Sequence, residues 1–125
     1  MDKSNTGHSR HLPEFFTGKS EYALMLYNYF IIEMEKMGPV GIHPHKTMIS
    51  IANEHKRVAY ITQLGKNFIH VVVPFKQRYD DNFCFQKIQQ VAGRHVVYHH
   101  FRMLHREDIN DEVRKFMRMA YNADL

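Results

Sequence analysis

The spacing of apolar residues changes twice along this chain, and each change marks a different kind of element. Apolar residues first cover most of the circumference of a helix that is predicted from its N-cap Ser20 to Met37, where Gly38-Pro39 is a stop signal. A helix with so little polar surface is covered on more than one side. Its narrow polar strip has a spacing of seven residues and comprises Glu21, Asn28 and Glu35.

Between Val40 and Pro74 the apolar spacing shifts to two, which is typical of β-strands. Polar breaks at residues 53–56 and 65–67 divide this stretch into successive strands. Such short connections favour an antiparallel meander. The run from Phe68 to Val73 has apolar residues on both faces, which predicts a central strand.

The C-terminal third contains a predicted helix, a strand and a second helix. Residues 83–91 carry apolar side chains three residues apart and are predicted as a short helix. A last strand is predicted from His95 to Met103, and Asp108 is predicted to cap the final helix. That helix is expected to pack an apolar stripe on the sheet. Its solvent-facing side chains are expected to be Arg114, Lys115 and Arg118.

Together these elements predict an α+β fold. A curved, mainly antiparallel sheet of about five strands is packed on one side by the long N-terminal helix and the C-terminal helix. The length of 125 residues fits a single domain. Residues 1–10 are polar and lack periodicity, so we expect a flexible tail there and the single domain over residues 11–125.

Four short motifs lie at the ends of these predicted elements and in the connections between them: Phe16-Thr17-Gly18-Lys19, Gly38-Pro39-Val40, Lys46-Thr47-Met48-Ile49-Ser50-Ile51, and Asp111-Glu112-Val113 leading to Ala120-Tyr121. They resemble an uncharacterised bacterial family of small domains of unknown function, which also occurs at the end of longer chains labelled predicted transport proteins. The resemblance implies one mixed sheet packed by two helices. It implies no activity, because the family has no recognised catalytic residues, and the many histidines near the last strand depart from its usual pattern.

Composition and charge narrow the range of partners. A formal net charge of +4 favours anionic partners, and ten histidines make such binding sensitive to pH. The single cysteine, Cys84, cannot form an intramolecular disulfide. No apolar run reaches the roughly 20 residues of a membrane span, and the polar N-terminus lacks the apolar core of a secretory signal. We therefore expect a cytoplasmic protein without a membrane partner.

Some of the histidines are candidate metal ligands. His43 and His45 flank Pro44, so an extended segment would project both rings from one face. A further ligand could come from His95 or His99, which share a face of the predicted last strand, or from His70. Zinc needs three or four ligands in one cluster, and a sequence does not show which strands are neighbours. The alternative, which we favour, is that these are ordinary surface or half-buried histidines and that no zinc or other divalent metal is bound.

Basic residues also gather around the strand ends, and aromatic residues could lie beside them. Tyr60, Phe68 and His70 could share one face of the sheet. Positive charge around ring faces is what binders of single-stranded nucleic acid use. The alternative is that the rings face the core or a second subunit. The residues predicted to bind an anionic ligand are Lys46, Tyr60, His70, His99 and Arg102.

Catalytic patterns are weaker than these binding patterns. Gly18-Lys19-Ser20 resembles the end of a phosphate-binding loop, but Pro13 occupies the position of the required glycine. The acidic pairs Asp80-Asp81 and Glu107-Asp108 lie in connections, where carboxylates are usually solvated or cap a helix. The sequence therefore favours a binding or accessory domain, for an anionic ligand or a protein partner, over an enzyme. The open alternatives are single-stranded nucleic-acid binding and a metal-dependent enzyme with a histidine cluster, and the apolar helix predicts a homodimer.

Overall fold

A computed structural model describes residues 12–123, so the tail predicted at residues 1–10 lies outside the described residues. The fold is α+β, as predicted, with six antiparallel strands in one sheet. None of the helices in the described chain is long and apolar enough to cross a membrane. The helices are α1 (Leu12–Phe16), α2 (Glu21–Glu35) and α3 (Asp111–Asn122), with a short 3-10 turn at Arg106–Asp108. The strands are β1 (Gly41–Pro44), β2 (Ile49–Ala52), β3 (Arg57–Leu64), β4 (Ile69–Phe75), β5 (Lys87–Gln90) and β6 (Val97–Met103).

The strands are ordered β1-β2-β3-β4-β6-β5, and every neighbouring pair is antiparallel. The predicted meander is confirmed for β1 to β4. Strand β6 then lies between β4 and β5, and its pairing with β4 runs from Ile69 opposite Met103 to Phe75 opposite Val97. Strands β1 and β5 are therefore the two edges of the sheet, and residues near one edge are far from residues near the other.

The helices cover one face of the sheet, as the sequence predicts. Phe30 and Met34 from α2 and Phe116 from α3 belong to the same buried cluster as Val71 and Phe101 from the central strands. Alternate strand residues point into this cluster, because side chains along a strand alternate between the two faces. The residues between them form the opposite face of the sheet.

Helix α2 begins where the sequence predicts and ends close to the predicted stop. Ser20 is its N-cap, because the Ser20 hydroxyl accepts a hydrogen bond of 3.0 Å from the Ala23 amide. The last helical residue is Glu35, and Gly38 then adopts a φ of +150°, which other residues rarely adopt. Tyr121 packs against Gly38 and donates a hydrogen bond of 2.7 Å to the adjacent Pro39 carbonyl, so the stop also fixes the end of α3.

A buried ion-pair cluster joins α2 to α3, and the sequence analysis did not predict it. Glu33 is only 2% exposed, and its carboxylate accepts hydrogen bonds from Lys36 at 2.7 Å and from Arg114 at 3.0 Å. The hydrogen bond from Lys36 holds the pKa of Glu33 below its usual value, although burial acts in the opposite direction. Arg114, which was expected to face solvent, keeps 34% of its side chain exposed while its guanidinium pairs with the buried Glu33 carboxylate.

Residues 83–91 contain an edge strand where the sequence analysis predicted a helix. Lys87 to Gln90 pair with β6, and Val91, which the helix prediction places inward, is exposed, whereas Phe85 does pack against the core. Apolar residues at this spacing in so short a segment do not distinguish a helix from an irregular strand. Pairing with the otherwise open edge of β6 satisfies backbone groups that a short helix would leave unpaired.

Two boundaries near β6 also differ from the prediction. The last strand begins at Val97, because His95 lies in the bend between β5 and β6. Asp108 does not cap α3: its carboxylate accepts hydrogen bonds of 2.8 and 2.9 Å from two amides at the start of the 3-10 turn. Asn110 is the N-cap of α3, and its side-chain oxygen accepts from the Val113 amide at 3.0 Å.

Candidate functional site: the open face of the sheet

The two faces of the sheet differ in what covers them. Along β6, Val97, His99, Phe101 and Met103 are buried towards the helices, and the three residues between them are only partly buried. The helices of the described chain contribute their buried residues to the first face. We call the second surface the open face, and it comprises Arg57, Tyr60, His70, Lys87, Tyr98, His100 and Arg102.

The open face carries cations and no carboxylates. None of the six strands contains Asp or Glu, whereas Arg57, Lys87 and Arg102 all lie in strands. Arg94 lies just before β6 and is exposed. The ion pairs found among residues 12–123 use other cations, namely Lys36, His55, Arg78 and Arg114. The open face therefore has an uncompensated positive potential.

Two tyrosines lie among these cations. Tyr60 is opposite Val72 of β4, and Tyr98 is opposite Pro74 of the same strand. Partial burial raises the pKa of the Tyr60 phenol, and the nearby Tyr98 phenol raises it further, while Arg57 and Arg94 act in the opposite direction. Both rings therefore lie close to positive charge, and the Tyr60 phenol remains neutral at physiological pH.

A pair of histidines lies at the centre of the open face. His70 of β4 and His100 of β6 are in contact through Nε2 of His70 and Nδ1 of His100, which are 2.9 Å apart. Burial lowers the pKa of both rings. Arg102 and Lys87 lower the pKa of His70 further, and His70, Lys87 and His99 lower the pKa of His100 further. The pair is therefore neutral at pH 7.

The outer atoms of this pair lack partners. His70 Nδ1, His100 Nε2 and Arg102 Nε are shielded from solvent and have no hydrogen-bond partner among the described residues. Arg102 is opposite His70 across the strand pair, and its guanidinium lies 4.1 Å from the centre of the Phe68 ring. Three polar nitrogens of neighbouring side chains thus share one unsatisfied region, and unsatisfied buried polar groups are uncommon in folded proteins.

The structure brings together three of the five residues predicted to bind an anionic ligand. Tyr60, His70 and Arg102 all lie on the open face. Lys46 does not join them, because it is exposed in the bend between β1 and β2 at the far edge of the sheet. Lys46 also lines none of the main cavities of the described chain.

His99 lies on the covered face, away from the other residues predicted to bind an anionic ligand. The ring is fully buried: its Nε2 accepts a hydrogen bond of 3.1 Å from the Tyr79 amide, and its Nδ1 lies 3.0 Å from the Val97 carbonyl. Both ring nitrogens are therefore satisfied, with the proton on Nδ1. Aromatic rings surround it on the remaining sides, namely Phe75, Tyr79 and Phe85.

The three predicted metal ligands are not brought together. His43 lies in β1, and His45 follows that strand with its Nε2 3.0 Å from the Ser50 hydroxyl. His95 lies between β5 and β6 at the opposite edge, roughly 20 Å away at the usual strand spacing. Among residues 12–123 no group of three or more His, Cys, Asp or Glu side chains could hold a metal ion. The strand order keeps these histidines apart, and the strand order could not be predicted from the sequence.

Lys87, Tyr98 and His100 belong to the open face but were not among the predicted site residues. Lys87 was missed because its segment was predicted as a helix. Tyr98 and His100 could have been predicted from the sequence. They lie an even number of residues from Arg102 in the same strand, so their side chains point to the same face as Arg102 and to the opposite face from His99. His99 was included only because no sequence signal distinguishes its face from that of His100.

Comparison of the chain with protein-family models, with curated proteins and with solved structures found no match. The family resemblance drawn from the short motifs therefore remains a prediction, and the functional argument depends on the open face alone.

Proposed function

We propose that this protein is a binding domain for an anionic ligand, and that the ligand is a single-stranded nucleic acid held on the open face. The observation that carries the proposal is a sheet surface without carboxylates on which Arg57, Lys87 and Arg102 lie beside Tyr60 and Tyr98. Cations attract phosphates, and the ring faces offer stacking surfaces to unpaired bases.

The shape of the open face favours an extended ligand over a small molecule. Small ligands bind in concave sites that enclose most of their surface. The main cavities of the described chain lie elsewhere: beside the β2–β3 connection, along the outer side of α2, within the core, and near the start of α3. A surface built from several strands suits a polymer that crosses them and contacts each one in turn.

The first test measures the charge contribution to binding. A fluorescent oligouridylate of about 15 nucleotides covers the site size of a small sheet domain. We expect the wild-type protein to bind it in fluorescence anisotropy at pH 7.5, with an affinity that falls as salt rises. Lys87→Gln should weaken binding and reduce the slope of log affinity against log salt by about 0.7, the value for one single-strand phosphate contact.

The matched control is Lys115→Gln, which removes the same charge from an exposed position on α3, behind the sheet. It should leave the salt slope unchanged. Equal effects of the two substitutions would mean that only net charge matters, and the open face would then not be the binding surface.

The second test separates stacking from charge. Tyr60→Leu should weaken oligouridylate binding by about 1–3 kcal/mol, because it removes one stacking ring. Tyr60→Phe keeps the ring and should retain most of the affinity. If neither the wild-type protein nor any variant binds single strands, while a protein partner bound to the protein is lost in Lys87→Gln, the open face is a protein interface and the nucleic-acid proposal is wrong.

A homodimer, which the apolar surface of α2 predicts, also remains a proposal. The outer side of α2 keeps an apolar groove lined in part by Leu24, Met25 and Tyr29, and Ile32 there is 54% exposed. Pairing of two such grooves would leave the open faces free for ligand. Light scattering at high micromolar concentration should give twice the monomer mass, Ile32→Glu should restore the monomer mass, and a monomeric wild-type protein would rule the dimer out.

A further inference from the structure

Arg102 and Phe68 are in contact on the open face, at the end of the sheet where β3 turns into β4. The central carbon of the Arg102 guanidinium lies over the Phe68 ring, 4.1 Å from the ring centre. Arg102 is directly opposite His70 in the pairing of β6 with β4, so Phe68 is its diagonal neighbour. Aromatic and long side chains reach each other across such a diagonal. The contact therefore follows from the strand register.

The position of the Phe68 ring is fixed by the turn that precedes it. The Gly65 amide donates a hydrogen bond of 2.8 Å to the Phe68 carbonyl and closes the β3–β4 connection. A Cβ atom at position 65 would overlap the Phe68 ring, so the ring lies directly against the Gly65 backbone. The Ser20 hydroxyl donates a hydrogen bond of 2.5 Å to the Lys66 carbonyl and ties the turn to the start of α2. The turn thus holds the ring, and the ring supports the guanidinium.

The environment of Arg102 limits how it can grip a phosphate. Its Nε is shielded from solvent and has no partner among the described residues, so a phosphate in solution cannot pair side-on with Nε and a terminal nitrogen. Arg102 takes part in none of the ion pairs found among residues 12–123. In the same residues Phe68 is the only ring found over its guanidinium, and the side chain is partly exposed. Guanidinium planes stack on unpaired bases in RNA recognition.

We propose that Arg102, supported by Phe68, is a stacking platform for one base of the single-stranded nucleic acid. The inference rests on the proposed function, because it assigns Arg102 to a base of that ligand instead of a phosphate. An arginine offers a planar group to a base, whereas a lysine is a point charge on a flexible chain. Arginine and lysine are therefore not equivalent at position 102, although they carry the same charge.

The experiment compares two fluorescent oligomers of the same length, one of uridylate and one with abasic sugars, which keeps the phosphates and removes the bases. Arg102→Lys should weaken oligouridylate binding by about tenfold in fluorescence anisotropy at pH 7.5, the change for one stacked base. Because the charge is kept, it should leave the salt slope and the affinity for the abasic oligomer unchanged. Phe68→Leu keeps Arg102 but removes the ring beneath it, and should weaken oligouridylate binding by about threefold.

The matched control is Arg57→Lys, which makes the same substitution at an exposed position of the open face. Arg57 has no ring under its guanidinium among the described residues, so this variant should bind both oligomers as the wild-type protein does.

A second measurement uses the wild-type protein alone and does not depend on the stability of a variant. Nuclear Overhauser effects between the uracil H5 and H6 protons and the Arg102 side chain should appear in the complex, because stacking places the base against the guanidinium. Their absence, or an Arg102→Lys variant that binds both oligomers as the wild type does or loses both equally, would overturn the platform and leave the proposed function intact. A wild-type protein that binds neither oligomer would refute the nucleic-acid proposal and the platform together.

Discussion

His99 and His100 are neighbours in sequence and have opposite environments. The His99 ring is fully buried among aromatic rings on the covered face, with both nitrogens hydrogen-bonded. The His100 ring lies on the open face against His70, with its outer nitrogen unpaired. Burial lowers the pKa of both rings, so the pKa direction alone does not separate them. What separates them is hydrogen-bond satisfaction: both ring nitrogens of His99 have partners, whereas His100 Nε2 has none among the described residues.

The contrast extends to the two faces as a whole. The covered face buries its one carboxylate, Glu33, between two cations and satisfies the polar atoms of His99. The open face concentrates cations without carboxylates and leaves three shielded nitrogens unpaired around His70 and His100. A covered face is optimised for stability, whereas unpaired charge and unsatisfied nitrogens on an uncovered face cost stability and are typical of binding surfaces.

The largest expected effect on stability comes from removing the His99 ring. His99→Ala should lower the free energy of unfolding by about 3 kcal/mol, because it leaves a cavity among aromatic rings and removes the acceptor of the Tyr79 amide. Urea denaturation at pH 7.5 measures this change. His95→Ala, at an exposed position in the bend before β6, is the control and should be nearly neutral. A loss below about 1 kcal/mol for His99→Ala would show that the ring is not a core residue.

The sequence predicts the covered face well because its signals are local or periodic. The N-cap Ser20, the stop at Gly38 and the apolar stripe of α3 follow from short patterns, and they place the helices correctly. The meander from β1 to β4 follows from short polar connections. These features do not depend on contacts between distant parts of the chain.

The open face depends on strand order and strand phase, which a single sequence does not specify. His70 meets His100 only because β6 inserts beside β4, although β5 precedes it in the chain. His43 and His95 lie towards opposite edges of the sheet, so the structure does not bring these predicted metal ligands together. The burial of Glu33 was also missed, because its partner Arg114 is distant in sequence.

The second expected effect concerns the buried carboxylate of the covered face. Glu33→Gln should lower the free energy of unfolding by about 2 kcal/mol, since it removes two charge-assisted hydrogen bonds from a residue that is 2% exposed. Glu35→Gln, which makes the same change on the exposed side of α2, should shift it by less than about 0.5 kcal/mol. Equal effects of the two substitutions in urea denaturation would contradict a specific role for the buried cluster.

The third expected effect is a loss of stability in mild acid. The pKa values of His70, His99 and His100 lie below the ordinary value of 6.5 in the folded protein, so the unfolded chain binds protons first as the pH falls. Stability is therefore complete above about pH 6.5 and decreases from there towards the lowered folded pKa values. We expect a loss of about 1 kcal/mol between pH 7.5 and 5.5 in urea denaturation without oxyanions. Stability that rises on acidification in this measurement would contradict the three pKa directions.

The smallest expected effect on stability comes from removing the His100 ring, which is next to His99 in the sequence. His100→Ala should change the free energy of unfolding by no more than about 0.5 kcal/mol, because it removes a partly buried ring whose outer nitrogen has no partner, and it opens the remaining His70 ring to water. Urea denaturation of this variant beside His99→Ala compares the same substitution at adjacent positions on opposite faces. If His100→Ala cost as much as His99→Ala, the histidine pair would be a structural element of the sheet, and its unpaired nitrogens would no longer indicate a binding surface.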